Sequence, residues 1–70
     1  MTAAEGRSPK PAEIRAARAA AGLSQREAAE LVWAKLRTWQ HWEAGTRTMH
    51  PAIWWAFQRR NREKVKPHLP

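Results

Sequence analysis

Ala34-Lys35-Leu36-Arg37-Thr38-Trp39-Gln40-His41-Trp42-Glu43-Ala44-Gly45 is the stretch on which the fold of this 70-residue chain turns. Set on a helix at about 100° per residue, Arg37, Gln40, His41 and Ala44 share one side, and Trp39 and Trp42 share the other. The spacing predicts a helix that packs through its indoles and presents a polar face. Arginine, glutamine and histidine together can donate to and accept from base edges in a DNA major groove. A solvated face with no task is the plainer alternative, but this one lacks the Glu/Lys mixture of a passive helix surface. A tryptophan pair at helical spacing is more often core than a stacking platform, so Trp39 and Trp42 are assigned to the core.

Upstream, Ser24-Gln25-Arg26-Glu27 is a Ser-x-x-Glu capping box that starts a helix after Ser24. Ala28, Leu31 and Val32 face inward there, and Ala29 is small enough for a second helix to approach. Gln25 and Arg26, at the positive end of that helix, are candidates to hold a phosphate, or form an ordinary solvated first turn. Only Trp33, Ala34 and Lys35 separate this helix from the opening stretch, so the two must cross sharply, as in a helix-turn-helix. Before it, a helix from Pro11 to about Ala21 carries Ile14, Ala17 and Ala21 on a narrow stripe. Gly22 supplies a left-handed stop, after which Leu23 folds back.

Downstream, Gly45 ends the reading helix and Thr46-Arg47-Thr48-Met49-His50 reads as a polar connection. Pro51 opens a last helix to about Lys64, with Ile53, Trp54 and Phe57 as its apolar edge. Trp55 lies on a different side, flanked by Arg59 and Arg62. Its readings are dimer contact, DNA-proximal stack or half-exposed residue, with Trp55 and Arg59 as candidate dimer contacts. The expected fold is all-α, a compact bundle of four to five short helices. Residues 1–10 form a disordered arm, with Arg7 and Lys10 able to touch phosphate from it, 11–65 the folded domain and 66–70 a disordered basic tail. The core is predicted from Ile14, Leu31, Val32, Trp39, Trp42, Trp54 and Phe57.

Thirteen Lys and Arg stand against six acidic residues, for a net charge of +7. A field this positive on so small a body favours a polyanionic partner, nucleic acid first. Without cysteine there is neither a disulfide framework nor a thiolate zinc site. His41, His50 and His68 are too scattered for a metal centre. No catalytic constellation, phosphate loop or cofactor motif appears, which argues against an enzyme. No apolar run reaches the ~20 residues of a membrane span. A soluble cytoplasmic protein is expected.

The run Gly22-Leu23-Ser24-Gln25-Arg26-Glu27-Ala28-Ala29-Glu30-Leu31-Val32, with Thr38, Trp39, Trp42-Glu43-Ala44-Gly45, Arg47 and Pro51, resembles the Cro/phage-repressor (XRE) family of helix-turn-helix regulators. Within that family it looks closest to short phage-borne members such as the anti-CRISPR-associated autorepressors. The resemblance covers residues 11 to about 58 and implies a lambda repressor-like DNA-binding domain. It implies base reading by Leu36, Arg37, Gln40 and His41, and phosphate contacts from Gln25, Arg26, Lys35, Thr38 and Arg47. It implies Trp42 as a buried anchor, and Glu43 held ionically by Arg47 or by a helix 1 arginine such as Arg18. The implied function is a homodimeric repressor of its own phage or mobile-element operon, bound to an inverted repeat in double-stranded DNA. An antitoxin-type module using Trp55 and the last helix on a partner protein, and an RNA-binding regulator, are the alternatives. Two positions depart from the family pattern. Trp33 occupies the usual glycine of the turn, which predicts a reshaped turn with the indole packed over the last helix. Lys35 replaces the usual oxygen-bearing cap and cannot accept a hydrogen bond.

Overall fold

A computed structural model describes residues 7–65, with side chains as far as residue 63. Four helices follow one another: α1 (Pro11–Ala20), α2 (Gln25–Leu31), α3 (Leu36–Ala44) and α4 (Pro51–Val65), with no strand among the described residues. The all-α bundle expected from sequence is present, with four helices among the described residues. The arm before residue 7 and the tail after residue 65 lie outside the described residues. Residues 7–10, assigned by sequence to the arm, lie against α1: Arg7 pairs with Glu13 at 3.0 Å, and Pro9 is buried.

Local chemistry sets the helix starts. Pro11 opens α1, and the Lys10 backbone N–H donates to the Glu13 carboxylate at 2.8 Å. In α2 the capping box closes as the spacing predicted: the Glu27 N–H donates to Ser24 Oγ at 3.0 Å, and the Ser24 N–H to Glu27 Oε1 at 2.8 Å. Lys35 precedes α3 in extended geometry without a side-chain cap, so α3 begins at Leu36. Its phase is fixed instead by the core residues it buries. His50 starts α4, its Nδ1 accepting from the Ala52 N–H at 2.9 Å.

Helices α1, α2 and α3 end in the same two-bond closure. Gly22 and Leu23 donate to Ala19 (3.0 Å) and Arg18 (3.2 Å), and Gly45 and Thr46 to Trp42 (3.3 Å) and His41 (3.1 Å). Trp33 and Ala34 do the same toward Glu30 (3.2 Å) and Ala29 (2.9 Å). Each closure needs one residue with positive φ, and these are Gly22 at 71°, Gly45 at 83° and Trp33 at 55°. The turn before α3 therefore keeps the backbone a glycine would give it, with tryptophan carrying a left-handed conformation that costs roughly 1–2 kcal/mol. The expected packing of the indole over α4 is corrected: Trp33 is 78% exposed and meets α4 through the Arg60 guanidinium, 4.1 Å from its ring centre.

The core gathers Ile14, Leu23, Ala28, Ala29, Trp39, Trp42, Met49, Trp54 and Phe57. Trp39 sits at its middle, edge-on to Trp42 at 5.6 Å and tilted on Phe57 at 5.1 Å, and Trp54 stacks on Phe57 at 6.1 Å. Such aromatic pairs add about 0.5–1.5 kcal/mol each to the burial of their area. Two expectations need correction. Leu31 and Val32 are only half-buried at the core's edge, because a seven-residue α2 ends there and is buried through Ala28 and Ala29. Met49, read as part of a polar connection, is fully buried as a member of the core.

Candidate nucleic-acid interface

The inner side of α3 is fixed by Glu43, only 5% exposed and the one charged residue buried among the described ones. Arg18 of α1 donates to it through Nε at 2.5 Å and Nη2 at 3.2 Å, Gln25 of α2 through Nε2 at 3.0 Å, and Trp39 of α3 through Nε1 at 2.6 Å. Arg15 adds a bond to the Glu43 backbone carbonyl at 2.6 Å, and Arg18 also reaches the Leu23 carbonyl at 3.0 Å. One carboxylate thus ties three helices together. Burial alone would raise the Glu43 pKa, but the bonds from Arg18, Trp39 and Gln25 outweigh it and hold the carboxyl below the usual glutamate range. Of the two partners proposed for Glu43, the structure selects Arg18; Arg47 is exposed at the surface.

With Trp39, Trp42 and Glu43 turned inward, the opposite side of α3 is left to solvent. Arg37, Gln40 and Ala44 are exposed, and His41 is half-buried beside them. Leu36 and Thr38 are half-buried at the flanks, Leu36 toward Gln40 and Thr38 toward His41. Arg26 of α2 is exposed, as are Lys35 directly before α3 and Arg47 in the loop after it, and α3 itself exposes no acid. Glu27 and Glu30 project from the far side of α2, about 140–160° round from Gln25.

Two of the polar groups on this face are held by hydrogen bonds. A carboxylate can only accept, so Glu43 obliges Gln25 to turn its Nε2 inward and its Oε1 outward. That oxygen accepts from Gln40 Nε2 at 3.3 Å, which leaves the Gln40 oxygen and its second amide hydrogen facing solvent. His41 is oriented by the loop after Gly45. The Thr46 hydroxyl lies 2.6 Å from His41 Nδ1 and 3.3 Å from the His41 carbonyl, and so bonds the ring to the loop. With Nδ1 engaged there, Nε2 is the ring nitrogen left to donate or accept at the surface. Gln25, a candidate phosphate contact by sequence, is half-buried and engaged at both ends of its amide.

The remaining candidates lie elsewhere. Trp55 is 47% exposed on the outer side of α4, with the Arg59 guanidinium 5.2 Å from its ring centre. Sequence reasoning missed Arg15, Met49 and the capping role of His50. Met49 had a signal, an apolar side chain inside a polar run bounded by Gly45 and Pro51, and so had His50, a ring acceptor directly before a helix-opening proline. Arg15 had none, since its target is a backbone carbonyl 28 residues away.

No protein-family model matches this chain. Over 56 residues, 80% of its length, the chain is 34% identical to the Type II methyltransferase M.MspI of Moraxella sp, of which it spans 13%.

Proposed function

We propose that this chain is a sequence-specific DNA-binding regulator in which the outer face of α3 enters the major groove. The observation that carries the reading is the division of α3 into two faces. One is held through Glu43, Trp39 and Trp42 against the rest of the fold, and the other offers exposed Arg37 beside Gln40 and His41, the latter two oriented by hydrogen bonds. Preorganised side chains lose little entropy on docking, so each bond to a base edge is worth more. Gln40 can take adenine through one acceptor and one donor, Arg37 matches the two acceptors of guanine, and His41 Nε2 can donate or accept at a base edge. Leu36 lies where it can meet a thymine methyl group. Arg26, Lys35, Thr38 and Arg47 supply backbone contacts that set register, and the net charge of +7 favours the encounter.

The regulatory role proposed is repression in the cytoplasm of the chain's own operon, by occupancy of an inverted repeat with two copies. A similar stretch inside a much longer methyltransferase suits a recognition module that can serve larger chains too. Footprinting on the DNA upstream of its own coding sequence tests the reading. The expected result is a protected inverted repeat with half-sites about 34 Å apart. Equal protection of every duplex offered would overturn sequence-specific recognition.

A further inference from the structure

The outer side of α4 carries a groove that the DNA-binding reading does not use. It is lined by Trp55, Gln58, Arg59 and Arg62. Trp55, Arg59 and Arg62 lie on the outer side of α4, turned away from the buried Trp54 and Phe57, and Gln58 stands exposed at its edge, one turn beyond Trp54. The groove therefore belongs to a different surface from the outer face of α3. Its chemistry is specific: a half-exposed indole as an apolar wall, one neutral amide, and two guanidiniums. Glu63 is the acid beside it, 3.7 Å from Arg59 across an ion pair whose members are 62% and 65% exposed. Such a pair contributes little and exchanges readily.

We propose that this groove docks a short acidic segment of a partner protein, with an apolar side chain against Trp55 and carboxylates on Arg59 and Arg62. Charge complementarity chooses the occupant. A second copy packed face to face would bring two arginines from each chain against one glutamate from each, an uncompensated repulsion. A DNA backbone would satisfy the guanidiniums but leave the indole without an apolar partner. Length chooses the form of the ligand. From Trp55 to Arg62 the helix rises about 10 Å at 1.5 Å per residue. An extended chain crosses that span with about three residues. The site thus suits a linear motif, not the face of a folded domain, and its binding is weak and salt-sensitive.

The test is a nitrogen-15 NMR titration of the full chain with a short synthetic peptide alternating glutamate and leucine. A control peptide carries glutamine in place of glutamate. The expected result is a saturable shift confined to the Trp55 indole N–H and the signals of Gln58, Arg59 and Arg62. The control peptide should produce none of it. Combined Arg59→Glu and Arg62→Glu substitution should weaken binding by about tenfold or more. Both side chains are exposed, so the fold survives the change, and Trp55→Ser removes the apolar wall as a second variant. Duplex DNA should not displace the peptide, whether or not the DNA reading of α3 holds. Shifts centred on α3 and reversed by DNA would overturn the proposal, because the peptide would then be a phosphate mimic. So would the absence of any saturable shift, or concentration-dependent broadening of the Trp55 signal without peptide, which would assign the groove to a second copy.

Discussion

Glu43 decides more about this molecule than any other side chain, because its carboxylate collects donors from α1, α2 and α3. Glu43→Gln keeps the shape but leaves Arg18, with a side chain 23% exposed, facing a neutral amide. Removing one member of a buried pair costs about 3–5 kcal/mol, and the partial exposure of Arg18 puts the expectation near the lower figure. That is a large share of the stability of so small a domain, and urea denaturation measures it. The same carboxyl gives a pH signature. Its pKa in the folded state lies below its unfolded value, so its contribution is complete above the ordinary glutamate range, near ~4.3. It is lost as the pH falls from there through the lower folded value. Thermal melts of wild type should fall in that window, and Glu43→Gln should flatten the dependence. Trp33 is the second decisive residue, held at φ 55° with its indole exposed. Trp33→Gly relieves the left-handed backbone and loses the Arg60 stack, whereas Trp33→Ala loses the stack and keeps the strain. The glycine variant should therefore be the more stable of the two by about 1 kcal/mol, and equal melting temperatures would refute the strain argument.

The helices owe their limits to these closures, and their glycines are not equivalent. A methyl group at Gly22 would meet no atom within 4 Å, while one at Gly45 would come to 3.3 Å from Pro11 Cγ. Gly22→Ala should cost about 1 kcal/mol of backbone strain alone. Gly45→Ala should cost more, since the start of α1 must also give way. Paired denaturation curves give the ranking directly. On α3, the Gln25–Gln40 bond makes two residues on different helices one unit. Gln40→Ala should remove about 1–3 kcal/mol of discrimination at one base pair. In a double-mutant cycle, Gln25→Ala should couple to Gln40→Ala on the specific site and not on random duplex. Additive losses would mean that the bond does not orient the reader.

For the molecule as a whole, a net charge of +7 makes any duplex binding strongly dependent on salt. The logarithm of affinity should fall linearly with that of salt concentration, and Arg47→Ala or Lys35→Ala should each reduce the slope by about one unit. Arg37→Ala should also relax base preference. Much of this architecture was legible in the chain because it is local. The capping box Ser24–Glu27, the prolines opening α1 and α4, the glycines at 22 and 45 and the spacing of Trp39 and Trp42 each act within one or two turns. They accounted for an all-α bundle of four to five helices, of which four are described, and for the two faces of α3. What only the tertiary structure decided depends on groups brought together from far along the chain. It selected Arg18 over Arg47 for Glu43, turned the Gln25 amide toward that carboxylate, buried Met49 and left Trp33 in solvent against Arg60. Periodicity states which way a side chain leaves its own helix. It does not state which neighbour waits there, because that depends on how the helices cross and on which polar groups must be satisfied once water is excluded.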